Sequence, residues 1–509
     1  MKSKYTSMLL DPSKGILLIF ILAVGLGLRL VFARFYLVGG DMVNSYYLPV
    51  LTLFGASEGE FQGWDEWHVR LGVILPLALS HWVTPRADMA VPLAALPFSI
   101  LQILMVYLLG RLLWNDYIAR LAAFFEAIYP VSVIFGAKML PDTPMACSVT
   151  AAILCYFYAL RQRRLLFFFL AGLCLGLGYT AKITALFILF ILAGLFWIHR
   201  REISPKAIWL TGIGSLVALV GETLILSLLN GGWHFRPLSL LDTSGQFAGK
   251  GDYIIQWYRY FPGFFAGMLW PLNPGFVYHG MFGLAALFGL LILIRKFGLS
   301  SELAALSWWW LGLLLLINFA CLGYARPIVY NLQMRYLMFM TPAACLLVAL
   351  ALNELPSYWR RGVIFCLLLF SLACCYTLYS TWKPQDVGYR NLYNKVEKLS
   401  DSSATIYFHD RLSRQYTRLV VGGERRYVLV KESEQFQRAR PGDLASLITG
   451  GYIREGSLPD GYREELGSDS WKKIDDWRSE QSPVHTIFMA LEIPIKKGFY
   501  RQIEIYQRQ

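Results

Sequence analysis

Long apolar segments recur along the chain and are separated by short polar connections. A segment of about 20 apolar residues is long enough to cross a bilayer as a helix. On this criterion the pattern predicts eleven membrane-spanning helices. Their predicted ranges are 15–36, 89–112, 118–137, 143–160, 165–181, 183–199, 207–229, 280–295, 303–323, 336–353 and 361–381. Residues 72–84 are apolar but too short to cross, which predicts an interfacial or re-entrant helix.

The composition agrees with a polytopic α-helical membrane protein. Of the 509 residues, 56% are hydrophobic and only 16% are charged, and the mean hydropathy is +0.46. These values exclude an ordinary soluble domain. Most of the net charge of +13 lies within residues 1–381, where membrane topology explains it, so we expect membrane lipids and no nucleic acid as partners.

The connections between the predicted spans differ in their basic residues. One set of short loops holds 15 Lys and Arg, whereas the opposite set holds nine and is more than twice as long. Cytoplasmic loops carry the excess of basic residues, so the sequence predicts a cytoplasmic N-terminus and an extracytoplasmic tail. Asp41, Asp142, Lys182 and Arg335 then share the outer face. No Asn-x-Ser/Thr sequon occurs, which agrees with a bacterial inner (plasma) membrane.

Two predicted domains follow from this pattern. Residues 1–381 form a transmembrane domain, whose long outer loops 37–88 and 230–279 are rich in aromatic residues, Gly and Pro. Such loops are expected to fold back on the membrane as a lid or groove. Residues 382–509 form a small extracytoplasmic α/β domain. Its predicted elements are helices near 388–399 and 410–417 and strands at 404–408, 426–430 and 485–492.

Two acids lie beside apolar spans on the predicted outer face. Asp41 follows the first span, where a carboxylate can take a proton from a hydroxyl arriving from water while an apolar substrate lies in the bilayer. Its alternative roles are a helix cap or a solvated loop acid. Asp142 can cap a helix starting at Thr143, act in catalysis, or both. Together the acids predict a paired-carboxylate site, with one acid as base and the other binding acceptor or metal.

Two cationic positions are candidates for binding phosphate. Lys182 lies at a tight turn between two apolar segments, where a lysine can bind phosphate or simply extend to the interface. Arg335, followed by Tyr336, opens the tenth predicted span. Because a guanidinium can engage two phosphate oxygens at once, this pair is the stronger phosphate candidate.

A charged cluster lies between two tryptophans in the first long loop. It comprises Asp65, Glu66, His68 and Arg70. This cluster can contact a substrate or a divalent metal, or it can belong to an interfacial amphipathic segment. The sequence leaves metal dependence open.

Two further acids, Glu126 and Glu222, fall inside predicted spans. Each could belong to a proton relay. The simpler interpretation is a carboxyl group buried against a neighbouring helix and held there by hydrogen bonds.

Several short motifs occur in a fixed order and on a fixed predicted side of the membrane. They are Asp41 after span one, Arg111-Leu112-Leu113-Trp114, Ile128-Tyr129-Pro130, Leu140-Pro141-Asp142, the lysine turn from Tyr179 to Ile183, and Arg335-Tyr336-Leu337. As a set they resemble the GT-C glycosyltransferases. The nearest branch comprises the protein O-mannosyltransferases and the bacterial aminoarabinose transferases of lipid A. The resemblance covers about residues 15–353.

The resemblance implies a polyprenyl-phosphate sugar as donor and transfer with inversion at the anomeric carbon. It implies that Asp41 is the catalytic base and Asp142 a second active-site acid. It also implies that Arg335 and Lys182 contact the lipid phosphate. The chain departs from the common pattern at Met42, where a second acid is expected, and this leaves a role for metal at that position open.

We therefore expect an inverting glycosyltransferase that acts on the outer face and uses a lipid, glycan or protein acceptor. Two alternatives stay open at this point. A transporter or flippase of lipid-linked sugars would need polar residues near the bilayer midplane and related halves. A glycan polymerase or ligase would use a diphosphate-linked donor.

Overall fold

The computed structural model describes residues 12–33, 46–55, 70–233, 235, 277–319, 337–399, 404–408, 426–430, 438–441, 443–450, 462–478 and 501–509. Its helices, in chain order up to the tail, are α1 (Pro12–Phe32), α2 (Leu48–Leu53), α3 (Leu71–Val83), α4 (Ala87–Leu113), α5 (Asp116–Ile128), α6 (Pro130–Phe135), α7 (Asp142–Gln162), α8 (Leu165–Ala181), α9 (Phe187–Ile198), α10 (Pro205–Asn230), α11 (Val277–Phe297), α12 (Ser301–Phe319), α13 (Thr341–Asn353) and α14 (Ser357–Leu399). A 3₁₀ turn, Ile183–Leu186, precedes α9.

Five of these helices are long and apolar enough to cross a membrane. They are α1 from Gly15, α4, α7, α10 and the first part of α14, Ser357–Tyr376. Shorter apolar helices accompany them, among them α3, α8, α12 and α13. The protein is therefore a polytopic α-helical membrane protein, and every predicted span coincides with a helix or a pair of helices.

Two predicted elements differ from the structure. The segment predicted as one span over 118–137 is two helices, α5 and α6, separated at Tyr129. The last predicted span, 361–381, and the separate helix predicted near 388–399 form one continuous helix of 43 residues, α14. The polar second half contains both Pro384 and Gly388, yet the helix continues through them and past the end of the apolar run.

Pro130 explains the break between α5 and α6. In an uninterrupted helix the N–H of residue 130 would donate to the carbonyl oxygen of Glu126, but proline has no N–H. Tyr129 instead adopts φ −59° and ψ 120°, and α6 begins at Pro130. Arg29 of α1 supplies the missing donors: its Nη2 lies 3.3 Å from the carbonyl oxygen of Glu126, and its Nη1 lies 2.9 Å from that of Ala127.

Helices α8 and α10 pack closely and run parallel. A Cβ at Gly172 would collide with the backbone of Thr211, and one at Gly176 would lie 2.8 Å from the carbonyl oxygen of Ser215. Gly214 meets the backbone of α8 at Phe169 in the same way. Residue numbers rise together along this contact, so both helices begin at the same end of the bundle.

The chain divides into two compact units. One comprises residues 1–33, 48–79 and 92–374, and the other comprises 34–47, 80–91 and 375–509. The first unit holds most of the membrane helices, and its interior includes the fully buried indoles of Trp309 and Trp310.

A five-stranded mixed sheet dominates the described part of the tail. Its strands are β1 (Thr405–Phe408), β2 (Arg426–Leu429), β3 (Leu444–Gly450), β4 (Trp471–Arg478) and β5 (Arg501–Arg508), and a short helix, α15 (Tyr462–Leu466), precedes β4. The strand order is β2-β1-β3-β5-β4, with β1 parallel to β2 and β3 and with β5 antiparallel to β3 and β4. The small α/β domain is thus confirmed. The predicted helix at 410–417 and strand at 485–492 lie outside the described residues.

Candidate active site

Asp142 is the first residue of α7 and is completely buried. Pro141 occupies the N-cap position and no side chain caps the helix, so the interpretation of Asp142 as a cap for a helix starting at Thr143 is wrong. The Asp142 carboxylate oxygen Oδ1 instead accepts a hydrogen bond from Lys182 Nζ at 2.5 Å. The side chains are 0% and 6% exposed, so this ion pair is shielded from water.

Local geometry at the end of α8 places Lys182 opposite Asp142. Lys182 is the C-cap of α8 and has extended backbone angles, φ −157° and ψ 131°. Its N–H donates to the carbonyl oxygen of Gly178 at 2.9 Å, which is the last hydrogen bond of the helix, and the extended backbone at Lys182 then ends α8. In the 3₁₀ turn that follows, the hydroxyl of Thr184 donates to the sulfur of Met145 on α7 at 3.2 Å, which joins this turn to α7.

Helix α3 begins against this end of α8. A Cβ at Gly72 would lie 2.6 Å from both the amide nitrogen of Ala181 and the Oγ1 of Thr180, so the approach requires glycine. Arg70 immediately precedes α3, and its carbonyl oxygen accepts hydrogen bonds from Val73 and Ile74 at 2.9 Å. Arg70 is half-buried. The packing of α3 therefore brings a second cationic residue toward the segment that holds Lys182.

Lys138 is a buried cation to which the sequence analysis assigned no role. It lies four residues before Asp142 and is only 4% exposed. Its Nζ lies 5.1 Å from the centroid of the Phe135 ring. The hydroxyl of Thr143 bonds to the carbonyl oxygens of Phe135 and Lys138, at 3.1 and 3.3 Å, and holds this turn against the start of α7. The closeness of Lys138 to Asp142 in the sequence could have identified it as a candidate.

Three basic residues belong to this end of the bundle. They are Arg70, Lys138 and Lys182, and Lys182 is paired with Asp142. Lysine and arginine side chains can bind an anionic ligand such as a phosphate.

A second buried polar network lies beside the break between α5 and α6. The Oε1 atom of Glu126 accepts hydrogen bonds from Gln102 at 2.9 Å, Ser132 at 2.7 Å and Thr341 at 3.2 Å. Ser132 lies in α6 and Thr341 begins α13, so one carboxylate joins three helices. Glu126 and Arg29 are both fully buried. For Glu126 the prediction of burial with hydrogen bonds is confirmed; Glu222 is also buried.

A tyrosine and a histidine are paired in the smaller unit, just after the segment that contains Asp41. The hydroxyl of Tyr47 lies 2.7 Å from Nδ1 of His81, and the two rings meet edge to face. Burial raises the pKa of Tyr47 and lowers the pKa of His81, so both groups are neutral at pH 7. The sequence analysis did not anticipate this pair.

The remaining candidate residues, Asp41, Asp65, Glu66, His68, Arg335 and Tyr336, lie outside the described residues. Of the proposed phosphate and substrate contacts, the structure therefore describes Lys182 and Arg70. Within the described part of the chain, no three His, Cys, Asp or Glu side chains are arranged to hold a metal ion.

Comparison with known proteins shows what this chain resembles. The family model for dolichyl-phosphate-mannose-protein mannosyltransferase matches residues 66–223, a segment that includes Arg70, Asp142 and Lys182. Among curated proteins no sequence matches.

Solved structures resemble the chain over most of its length. ArnT from Cupriavidus metallidurans, bound to undecaprenyl phosphate, has 10% sequence identity and a TM-score of 0.58, and the match covers 96% of this chain and 97% of ArnT. The apo oligosaccharyltransferase of Archaeoglobus fulgidus has 13% identity and a TM-score of 0.55, covering 99% of this chain and 89% of that one. In its complex with Zn and sulfate, the same enzyme has 15% identity and a TM-score of 0.49, and the match covers 81% of this chain but only 62% of that chain.

The chain therefore shares the fold of ArnT and of the archaeal oligosaccharyltransferase. Together with the match of residues 66–223, this agrees with the resemblance to GT-C glycosyltransferases that the sequence motifs carry.

Proposed function

We propose that the protein transfers a sugar from a polyprenyl-phosphate donor to a lipid, glycan or protein acceptor, with inversion at the anomeric carbon. One observation carries this proposal: a water-shielded ion pair, Asp142–Lys182, lies at the end of membrane helices within the segment that matches the mannosyltransferase family. The GT-C fold supports the class of reaction, and ArnT was solved with undecaprenyl phosphate bound.

The cations are suited to the donor. The charge that grows on the leaving lipid phosphate is stabilised by positive groups already in position. Lys182 and Lys138 are buried cations, and Arg70 lies at the start of the helix packed against the Lys182 turn. Arg335 and Tyr336 join this set through the motif that resembles the family.

The acids serve the acceptor. The acceptor oxygen attacks the anomeric carbon, the bond from that carbon to the phosphate oxygen breaks, and the lipid phosphate leaves with the bonding electrons. Asp41 takes the proton of the acceptor hydroxyl as general base. Asp142 holds Lys182 in place and completes the paired-carboxylate site. We assign no step to a metal.

We place this site at the outer face of a bacterial inner membrane, with the N-terminus in the cytoplasm and the sheet domain outside. The distribution of Lys and Arg among the connections supports this orientation. Reporter fusions after residues 33 and 399 would test it, since both should report the extracytoplasmic side.

The function is tested with purified protein in detergent and synthetic undecaprenyl-phosphate mannose labelled in the sugar. We expect labelled product with a membrane lipid extract as acceptor, and about 1% of that rate or less for Asp142→Asn. Without Asp142, Lys182 loses the anchor that places its charge, and a group that stabilises charge in the transition state contributes roughly 10²–10³-fold. Glu354→Gln is the matched control, because Glu354 also accepts from a lysine, Lys296, at 2.6 Å but lies outside the matched segment. Full activity of Asp142→Asn would refute the proposal.

The donor class is tested in the same assay. A monophosphate-linked sugar should be consumed and a diphosphate-linked sugar should not. Transfer from the diphosphate alone would favour the polymerase or ligase, and movement of the lipid-linked sugar across proteoliposomes without transfer would favour the flippase.

A further inference from the structure

Six cations gather at the end of the bundle where α7 ends and where α8 and α10 begin. They are Arg161, Arg163, Arg164, Arg200, Arg201 and Lys206, here called the basic end. All six are exposed. The acids near them are Glu202 and Glu302, and Glu302 lies 3.6 Å from Arg161. Within the described residues, the other five cations form no ion pair.

The packing of α8 and α10 brings the two basic loops together. Because Gly172 meets Thr211 and Gly176 meets Ser215, the two helices are parallel and in register over this contact. Arg164 is the N-cap of α8, and Lys206 is the second residue of α10. The loop 161–164 and the loop 199–206 therefore lie side by side.

Aromatic side chains surround these cations. Trp197 is 69% exposed and Trp209 is 74% exposed, one at the end of α9 and the other in the first turn and a half of α10. The guanidinium of Arg200 lies 4.6 Å from the ring centroid of Trp197. Exposed tryptophans at the ends of apolar helices are typical of the level of lipid headgroups. The basic end therefore faces the membrane surface, where its natural anion is a phospholipid headgroup.

We propose that the basic end binds the headgroups of anionic phospholipids of the phosphatidylglycerol type. Clustered cations beside membrane helices attract anionic lipid, and the flanking indoles pack against the glycerol and upper acyl region. The surface is separate from the candidate active site. Lys182 follows the opposite end of α8, about 25 Å away along the helix axis at 1.5 Å per residue.

The test measures retention of lipid by the full-length protein in a zwitterionic detergent. Native mass spectrometry counts bound phosphatidylglycerol and phosphatidylcholine, added at equal concentrations. The variant is Arg163→Gln/Arg201→Gln/Lys206→Gln. The matched control removes three exposed cations from the sheet domain, Arg438→Gln/Arg440→Gln/Lys472→Gln, and so has the same net charge.

Wild type and control should bind phosphatidylglycerol more tightly than phosphatidylcholine, and the binding should weaken as NaCl rises. Each cation near an anionic surface contributes roughly fivefold, so the basic-end variant should lose up to about 100-fold in affinity. Equal loss in variant and control would overturn the proposal, as would equal retention of the two lipids by wild type. The wild-type comparison and its salt dependence decide the matter even if the variant does not fold.

Discussion

Asp142 and Lys182 should depend strongly on each other in their effects on the free energy of unfolding and on activity. Both side chains are nearly inaccessible, so Asp142→Asn leaves a buried ammonium without its counter-charge, and Lys182→Met leaves a buried carboxylate without its own. Removing one partner of a buried pair costs about 3–5 kcal/mol. Removing both charges in Asp142→Asn/Lys182→Met should cost less than either single change, because neither charge of the pair is then left buried without the other.

The experiment is a double-mutant cycle on thermal unfolding in detergent, read from intrinsic fluorescence. With about 2 °C per kcal/mol as the scale for large domains, each single variant should unfold roughly 6–10 °C below wild type and the double variant within about 4 °C. The control is the Lys296–Glu354 pair, which has a similar distance, 2.6 Å, but a lysine side chain that is 52% exposed. Exposed pairs contribute less than about 1 kcal/mol, so Lys296→Met should shift the midpoint by less than about 2 °C.

Additive losses in the Asp142 and Lys182 variants would refute the reasoning, because additivity means that the two charges do not interact. An activity assay on the double variant distinguishes a structural role of the ion pair from a role in the reaction. The double variant should be stable and inactive under the proposed function. A stable double variant with normal transfer would leave the ion pair as a structural feature only.

Three further predictions concern the surroundings of this site. Glu126→Ala should lower the free energy of unfolding by at least about 3 kcal/mol, measured by denaturant unfolding in mixed micelles, because three buried donors lose their acceptor. Gly72→Ala should lower the free energy of unfolding by about 1–3 kcal/mol and reduce sugar transfer, because the added Cβ would meet the backbone of α8. Its control is Gly27→Ala, which has open space around the added Cβ and should be neutral or slightly stabilising in thermal unfolding. The hydrogen bond from Lys296 lowers the pKa of Glu354, so this group stabilises the fold above its unfolded-state pKa and loses that contribution as pH falls through the lowered value. Melting curves of Glu354→Gln should therefore lie slightly under those of wild type at pH 7 and approach them as the pH falls through the lowered pKa.

The membrane helices were largely predictable because each one corresponds to a long apolar run in the sequence. A single polar residue does not hide a run of about 20 residues, so each predicted span coincides with a helix or a pair of helices. The break at Tyr129 was missed because the apolar run continues across Pro130. The donors that make the break tolerable come from Arg29, roughly 100 residues earlier in the chain, and no local pattern contains that information.

The sequence identified charged residues at the ends of the spans, but it did not show which of them contact each other. Asp142 and Lys182 were identified separately as an acid and a cation, but their direct contact depends on how α7 and α8 end. Lys138 was overlooked because a lysine before a helix usually lies in solvent. In the tail, β3, β4 and β5 were missed. The sequences of β4 and β5 mix charges with few apolar residues, and β3 pairs with β1 and β5, both of which are distant in the sequence.

The contact between Arg29 and the α5–α6 break also constrains how the protein can be assembled. Two carbonyl groups within the membrane helices depend on a side chain from α1, which is synthesised roughly 100 residues earlier in the chain. That segment must stay beside the later ones from insertion onward. A split version of the protein should therefore tolerate separation in a polar connection after α6, such as 199–206, far better than a version in which α1 is supplied as a separate peptide.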